Sequence, residues 1–336
     1  MRKKYFLPIL FDMFFLKKTK ETQNFEEWIK SNYGKSLFKI YFEDYTEKVW
    51  GENCANLSSV WAKSRVGSNN LYKFFRGVFL SDYESKESTR FFYYPKNGIG
   101  TLAESMQAKI KDSTQLFTNT KLISSSSNNG TLRTLSFLYD NELFEVAFRK
   151  MISTIPLKEL ISVLPASAQK HTQELSAGIR HRSLILVAFI LNQRLSTSWH
   201  WCYFPSKKHF FSRIHEPKFW SSHMAPEGKT CLIMEVFCNY NDACWNMSDD
   251  EIIKRAEESL LSSGLLDSKC GVDNSIVKKI QYAYPLCYKG YESSLNRVKE
   301  YFRGYDNLYL TGRNGAHAYY DMEECLEDVR TTIHVL

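Results

Sequence analysis

The first 85 residues of the chain carry apolar side chains at the spacing of amphipathic helices. The repeating positions are Phe25, Trp28, Ile29 and Tyr33, followed by Leu37, Ile40, Tyr41 and Tyr45. Residues three and four apart lie on one face of a helix, so this pattern predicts two helices, and Gly34 marks the break between them. We therefore expect the N-terminal part of the chain to be largely helical.

From about residue 90 the pattern becomes strand-like. Residues 90–94 are rich in aromatic side chains, residues 95–98 have turn composition, and residues 101–110 have the spacing of an amphipathic helix. Further strands are predicted at 116–124, 131–139 and 144–148. The polar run 124–130 consists of Ser, Asn and Gly, which favours a hairpin-like turn.

Residues 151–300 combine long apolar runs with helical periodicity. Residues 183–191 are continuously apolar, which is typical of a central strand, and residues 198–203 form an aromatic-rich strand. Residues 249–265 and 293–302 have the pattern of amphipathic helices. A chain of 336 residues with both kinds of element predicts an α/β protein with two domains, or one domain with an insertion.

The N-terminus resembles a signal peptide in composition. Basic residues 2–4 precede the apolar run 5–16, which Lys17 and Lys18 end. Asp12 interrupts the run, no small-residue cleavage site follows, and the run is too short to span a bilayer. We expect this segment to pack into a core, and we expect no integral membrane segment.

The C-terminus has the pattern of a buried strand at 308–310, a glycine-rich turn and a final helix. Gly312, Arg313 and Gly315 occupy the turn. Glycine permits close approach of the backbone to a ligand, helix-start N–H groups attract negative charge, and arginine supplies a permanent positive charge. This segment is therefore predicted to bind a phosphate or a polarised ring.

Composition narrows the classes of function. The net charge of +7 is spread along the chain without a basic block interleaved with aromatic residues, so we expect a solvated basic surface and no nucleic-acid partner. The aromatic fraction of 15% suits a protein that stacks planar ligands, although an aromatic core explains it equally. The eight cysteines form no Cys-x-x-Cys pair and match no zinc spacing, which favours reduced thiols, a cytoplasmic location and no metal.

Several segments, taken in order, resemble a known family. They are residues 45–51, 94–102, 155–157, 213–216, 283–285 and 312–322. The chain is similar, from about residue 25 to its end, to FAD-dependent oxidoreductases of the amine oxidase and protoporphyrinogen oxidase superfamily. The branch that it most resembles is the one related to UDP-galactopyranose mutase. The resemblance implies FAD as cofactor and a small-molecule substrate, such as a nucleotide sugar or polysaccharide precursor.

The chain departs from that family in one respect. Such proteins begin with a strand, a Gly-x-Gly-x-x-Gly turn and a helix that binds the FAD pyrophosphate. Here only residues 98–103 approach this pattern, as Gly-x-Gly-x-x-Ala with Gly98 and Gly100, and no acidic residue follows about 20 positions later. We expect this piece to pack near the flavin, and we expect the pyrophosphate module to be missing by truncation, by a split gene that leaves it on a partner chain, or as a degenerate copy.

The predicted fold is therefore an incomplete, Rossmann-like FAD-binding domain combined with a substrate domain of antiparallel or mixed sheet and helices. Residues 1–88 are expected to be the helical part of the substrate domain, and residues 151–302 its sheet. Residues 89–150 and 303–336 are expected to supply the partial FAD-binding domain.

The resemblance also implies roles for single residues. Gly312, Arg313 and Gly315 would lie beside the flavin and the substrate diphosphate, and Met322 would offer its backbone N–H to the pyrimidine edge of the flavin. Tyr319 and Tyr284 would contact the diphosphate, although Tyr284 is equally explained as a buried tyrosine at a strand end.

Three further candidates keep a structural alternative. Asp321 joins the predicted cofactor site, but an N-cap role alone explains it. Trp50 would stack on a sugar or base, or pack between helices. Arg213, in an Arg-x-x-Glu segment with Glu216, would lie near the flavin and substrate, or form an ion pair.

No catalytic residue is assigned from the sequence. The function that we expect is an FAD-dependent oxidoreductase that passes a substrate hydride to the flavin. The alternatives are a mutase-like isomerase, and a non-catalytic remnant or a subunit that another polypeptide completes.

Overall fold

The computed structural model describes residues 6–16, 19, 21–65, 93–165, 174, 176–193, 199–266 and 271–336. The chain divides into two compact units. The first comprises Met1–Ile110 and Ser183–Gln281, and the second Lys111–Arg182 and Tyr282–Leu336. These two units are defined by contacts between residues. The four segments predicted from the sequence were defined by function, so that functional division stays a prediction.

Helices form the N-terminal part of the first unit. Their bounds are α1 Phe6–Phe14, α2 Phe25–Tyr33, α3 Lys35–Leu37, α4 Glu43–Trp50, α5 Ser59–Arg65 and α6 Gly100–Ile110, with a π turn at Phe38–Phe42. Asn24 caps α2 by accepting a hydrogen bond from the Glu27 N–H. Gly34 ends α2 with φ +86°, so the predicted break between two helices is confirmed.

The expectation that the N-terminal apolar run packs into a core is wrong for most of the side chains that the structure describes in it. The run forms α1, and Ile9 is fully buried. Leu7, Phe11 and Phe14 are instead exposed. A helix nine residues long turns only one face toward its neighbours, and the run is apolar on more than that face.

A five-stranded sheet forms the core of the first unit, in the order β6-β7-β8-β5-β9. Its strands are β5 His181–Leu191, β6 Trp201–Tyr203, β7 Arg213–His215, β8 Thr230–Cys238 and β9 Val272–Pro285. One face packs Val187, Phe189 and Met234 against helix α8, Asp249–Ser263. The predicted central strand 183–191 and the helix near 249–265 are both confirmed.

Lys48 ties α4 to the loop between β6 and β7. Its ammonium group donates to the carbonyl oxygens of Phe204, Ser206 and Phe211 at 2.9, 3.0 and 2.6 Å. Burial lowers the pKa of Lys48 to about 8. The side chain therefore satisfies three carbonyl groups that the loop leaves without strand partners.

The second unit contains two smaller sheets. An antiparallel sheet has the order β1-β2-β3, and β4 pairs in parallel with β10. The elements are β1 Thr120–Asn128, β2 Thr131–Tyr139, β3 Glu142–Ala147, β4 Met151–Ser153, α7 Leu157–Ser162, α9 Tyr291–Phe302, β10 Leu308–Leu310, α10 Gly312–Gly315 and α11 Met322–His334. A core that includes Leu132, Leu160 and Phe302 holds them together.

The serine run is a strand, so its assignment to a turn is wrong. Ser124, Ser125 and Ser126 lie in β1 and pair with β2, and the turn is limited to Asn129 and Gly130. The pairing shifts register twice within β1, between Leu122 and Ser124 and between Ser126 and Ser127. Pairing with β2 outweighs the low strand propensity of the residues themselves.

Candidate functional site

The glycine-rich turn after β10 is held in place by hydrogen bonds to the last helix, α11. The Thr311 hydroxyl and the Gly312 N–H donate to the Asp328 carboxylate at 2.7 and 2.8 Å. Gly312 has φ +74°, a conformation that favours glycine. A Cβ on Gly315 would lie 2.4 Å from the Ser153 carbonyl oxygen, so only glycine lets α10 approach β4 this closely.

Arg313 lies beside two tyrosine rings. Its Cζ is 5.1 Å from the ring centroid of Tyr284 and 5.2 Å from that of Tyr319. The two rings are stacked, with centroids 5.5 Å apart and planes inclined by 20°. Nε donates to the Tyr320 carbonyl oxygen at 2.7 Å, and Nη2 lies 3.6 Å from the half-exposed Asp321 carboxylate. Nη1 donates to the Ala283 carbonyl oxygen at 3.4 Å. The guanidinium is therefore held in one orientation by cation–π contacts and two backbone hydrogen bonds, and its charge is only loosely compensated.

The N-terminus of α11 follows directly. Asp321 and Glu324 form a capping box, in which the Glu324 carboxylate accepts the Asp321 N–H at 2.7 Å, so the predicted N-cap role of Asp321 is confirmed. Met322 is 49% exposed, and its N–H has no hydrogen-bond acceptor in the parts of the chain that the structure describes. This N–H is free to bind a ligand, at the end of the helix where the dipole favours negative charge.

Two histidines with buried ring nitrogens lie next to this turn, His317 and His181, and no sequence pattern indicated their pairing. The His317 and His181 rings meet edge to face, with centroids 4.7 Å apart. Burial lowers the pKa of His317 to about 3, helped by His181, Lys299 and Lys158, and lowers that of His181 to about 4. Both imidazoles are therefore neutral at pH 7. Among the described residues, none of their ring nitrogens has a hydrogen-bond partner.

The structure brings most of the predicted residues into this turn or, for Tyr284 of β9, beside it. They are Gly312, Arg313, Gly315, Tyr284, Tyr319, Asp321 and Met322, all in the second unit. Gly98, Gly100, Trp50 and Arg213 belong to the first unit. The roles that the sequence predicted for all of them stay predictions.

Gly98 and Gly100 lie in a turn and at a helix start. The Gly98 N–H closes the turn by donating to the Pro95 carbonyl oxygen at 3.0 Å, and a Cβ on Gly98, where φ is +95°, would lie 2.9 Å from the Met224 sulfur. Gly100 begins α6 and has open space around it. Residues 93 and 94 are not in a strand, and residues 90–92 lie outside the described parts.

Trp50 is buried among the helices of the first unit. Its ring meets that of Trp61 edge to face at 4.8 Å. A ring with so little exposed surface has no face for a ligand, so the geometry favours the packing role over the stacking one.

Arg213 forms an ion pair across the sheet. It pairs with Glu235 of β8, which lies directly opposite in the strand register, and its Cζ is 4.8 Å from the Trp201 ring centroid. Glu216, the partner that the sequence spacing indicated, accepts a hydrogen bond from the Thr230 hydroxyl. Burial raises the pKa of Glu235, and Arg213 counteracts this. The sequence missed Glu235 because strand register is not visible from spacing along the chain.

Outside this turn, the cysteines, the possible metal ligands and the lengths of the helices were considered for the residues that the structure describes. The described cysteines are free thiols, with Cys270 outside the described residues. Within the same parts of the chain, no group of three His, Cys, Asp or Glu side chains converges on a metal position. No described helix is long and apolar enough to cross a membrane.

Comparison with solved structures shows which proteins share this fold. A reduced UDP-galactopyranose mutase matches with a TM-score of 0.81 at 18% identity, over 99% of this chain and 72% of the mutase chain. A protein described as a protoporphyrinogen oxidase from Exiguobacterium sp. 255-15 matches with a TM-score of 0.72 at 15% identity, over 100% of this chain and 72% of its own. A putrescine oxidase redesigned in its cofactor binding matches with a TM-score of 0.61 at 12% identity, over 100% and 76%.

The chain therefore has the mixed α/β fold of these oxidoreductases and of the mutase, and the resemblance inferred from the sequence is confirmed at the level of the fold. No protein-family model matches the chain, and no curated protein matches it in sequence.

Proposed function

We propose that the turn from Gly312 to Met322 is part of a flavin site, and that the protein is an FAD-dependent oxidoreductase. The observation that carries this proposal is the free Met322 N–H at the start of α11, beside the oriented guanidinium of Arg313. A preorganised donor and a fixed positive charge are what an electron-rich ring and its anionic reduced form require.

The residues present fit the flavin. Gly312 and Gly315 keep side chains out of the turn, and the Met322 N–H would donate to the pyrimidine edge of the ring. The bound FAD would supply the hydride acceptor. The protein's part is to orient the ring and to stabilise negative charge on it, through the helix N-terminus and Arg313.

The substrate that we propose is a phosphorylated small molecule, such as a nucleotide sugar or polysaccharide precursor. Arg313 carries several N–H donors suited to phosphate oxygens, and Tyr284 and Tyr319 stack beside it. The structural match to a UDP-galactopyranose mutase favours the second candidate function, isomerisation of a nucleotide sugar. Both functions use the same turn.

The FAD pyrophosphate is proposed to bind groups outside this sequence, because Gly-x-Gly-x-x-Gly does not occur in it. A further segment or a partner chain would supply that module. We expect the chain alone to bind FAD weakly, because the pyrophosphate contacts would then be missing.

The experiment is a flavin titration of the full chain, followed by flavin fluorescence and thermal shift. Met322→Pro removes the proposed donor at the first position of a helix, where proline is tolerated. We expect affinity for FAD to fall about tenfold, the effect of one lost hydrogen bond to a charged group. Asp249→Pro is the matched control, because α8 also begins with a capping box, and it should leave FAD affinity unchanged.

Two results would contradict the flavin site. One is the absence of any FAD-dependent signal up to millimolar cofactor, and the other is equal affinity of the parent chain and Met322→Pro. Binding of inorganic pyrophosphate, lost in Arg313→Ala, tests the substrate part separately.

A further inference from the structure

Helix α1 and the residue that follows it present large apolar side chains to solvent on one side. Leu7, Phe11, Phe14 and Phe15 are 75%, 63%, 84% and 68% exposed. At about 100° per residue these four positions fall within an arc of about 100°, so they form one stripe. Single exposed apolar residues are ordinary, but a continuous stripe with three phenylalanines marks an interaction surface.

The opposite side of α1 fixes the helix to the rest of the first unit. Ile9 is fully buried, and the Asp12 carboxylate accepts a hydrogen bond from the Ser36 N–H. Asp12 is the one acidic side chain of α1, and its carboxylate is thereby bonded to the neighbouring segment.

Positive charge flanks the stripe in the sequence. The first 20 residues contain six Lys or Arg, at 2–4, 17–18 and 20, and Asp12 as the one acidic residue. An apolar stripe rich in phenylalanine between basic residues is the composition of helices that lie in the interface of an anionic membrane.

A groove beside α1 extends this surface. It has a cavity volume of about 670 Å³, and its lining includes the apolar side chains of Phe11, Phe15 and Leu16, the lysines Lys30 and Lys35, and the carboxylates of Asp12 and Glu27. The carboxylates of Asp12 and Glu27 accept backbone N–H groups, and Lys30 pairs with Glu26. Lys35 is therefore the ammonium group beside the apolar side chains that would meet the phosphate of an anionic lipid, with the acyl chain against the phenylalanines.

We propose that α1 docks the protein onto the surface of an anionic lipid bilayer. The helix has nine residues, about 13 Å of length, and a bilayer core is about 30 Å thick, so α1 would lie in the interface with its stripe among the acyl chains. This proposal does not depend on the flavin site, because none of its residues takes part in that site.

The test is co-sedimentation of the full chain with vesicles of phosphatidylcholine containing about one-third phosphatidylserine, compared with phosphatidylcholine alone. We expect binding to the anionic vesicles only, and release at high salt. The double variant F11S/F14S should lower the partition coefficient roughly a hundredfold, about tenfold for each phenylalanine. Phe14→Trp should retain binding, because tryptophan suits the membrane interface.

The matched control replaces two exposed apolar side chains elsewhere, Leu143 and Ile276, which are 70% and 53% exposed. L143S/I276S should bind vesicles as the parent does, and all variants should unfold at the same temperature. Unchanged binding of F11S/F14S, or equal binding to neutral vesicles, would overturn the proposal. A third result would also overturn it: the parent chain does not bind vesicles but self-associates, and F11S/F14S abolishes that self-association. The stripe would then bind a second copy of the chain.

Discussion

Arg213 and Arg313 were both predicted to bind ligand, and both lie against aromatic rings. Arg213 faces Trp201 and pairs with Glu235, a carboxylate that is 4% exposed. Arg313 faces Tyr284 and Tyr319, and its nearest carboxylate is 3.6 Å away on half-exposed Asp321. The charge of Arg213 is therefore compensated inside the sheet, whereas that of Arg313 remains available to a ligand. An arginine at a plausible position therefore identifies a ligand site only once the partner of its charge is known.

The ion pair of Arg213 should matter most for the stability of the protein. Glu235→Ala leaves the Arg213 guanidinium without its buried partner, and we expect the free energy of unfolding to fall by about 3 to 5 kcal/mol in urea denaturation. The paired replacement R213M/E235L removes both charges and should lie within about 1 kcal/mol of the parent. If Glu235→Ala is as stable as the paired variant, Arg213 is not neutralised as described.

The buried histidines make the Arg313 region sensitive to acid. His317 keeps a pKa of about 3 in the folded state, against 6.5 for an ordinary histidine. As the pH falls below 6.5, this histidine takes up a proton in the unfolded chain but not in the folded chain. The free energy of unfolding therefore decreases as the pH decreases below 6.5, and His317 does not change it at higher pH. We expect roughly 3 kcal/mol to be lost between pH 6.5 and about 4.

The check is the slope of unfolding free energy against pH in His317→Phe. The slope should be shallower than in the parent, while His223→Gln, at an exposed histidine, should reproduce the parental slope. Parallel slopes in all three proteins would show that His317 is not the group responsible.

Gly315 tests how closely α10 must approach β4. A methyl group there would lie 2.4 Å from a backbone carbonyl oxygen, which has little freedom to move. Gly315→Ala should cost about 1 to 3 kcal/mol and should weaken FAD binding with it. Gly100→Ala, at a helix start with open space, should be neutral or stabilising in the same thermal unfolding assay.

The smallest effect concerns the cap of α11. Asp321→Ala removes the side-chain acceptor of the capping box and should lower stability by about 1 kcal/mol. Asp321→Asn keeps a capping acceptor, so it should restore most of the stability while removing the charge near Arg313. We expect Asp321→Asn to bind pyrophosphate more tightly than the parent, because it removes the carboxylate nearest to Arg313. Unchanged binding would show that Asp321 does not compensate the charge of Arg313.

Sequence patterns predicted correctly those helices and strands whose local pattern matches the burial of the element in the fold. The apolar run 183–191 became β5 in the centre of a sheet, and the periodic segment after Ser248 became α8 with a full capping box. The clustering of Gly312, Arg313 and Tyr319 was also predictable, since they lie within eight residues of one another.

Other features depended on contacts that no local pattern records. Ser124–Ser126 became a strand because β2 offers hydrogen bonds. The apolar N-terminal run remained largely exposed because, among its side chains that the structure describes, Ile9 alone is buried. The Arg213–Glu235 pair and the His181–His317 pair join residues 22 and 136 positions apart, and only the sheet register and the fold bring them together.

The two register shifts in β1 bear on how the protein associates. In the sheet as described, β1 is an outer strand, and outer strands offer unpaired N–H and C=O groups to strands of other molecules. An interrupted row of these groups is a poor template, because an incoming strand cannot keep pace with it beyond a few residues. The serine side chains add little apolar surface to attract one. This edge of the sheet is therefore a poor site for strand pairing between molecules.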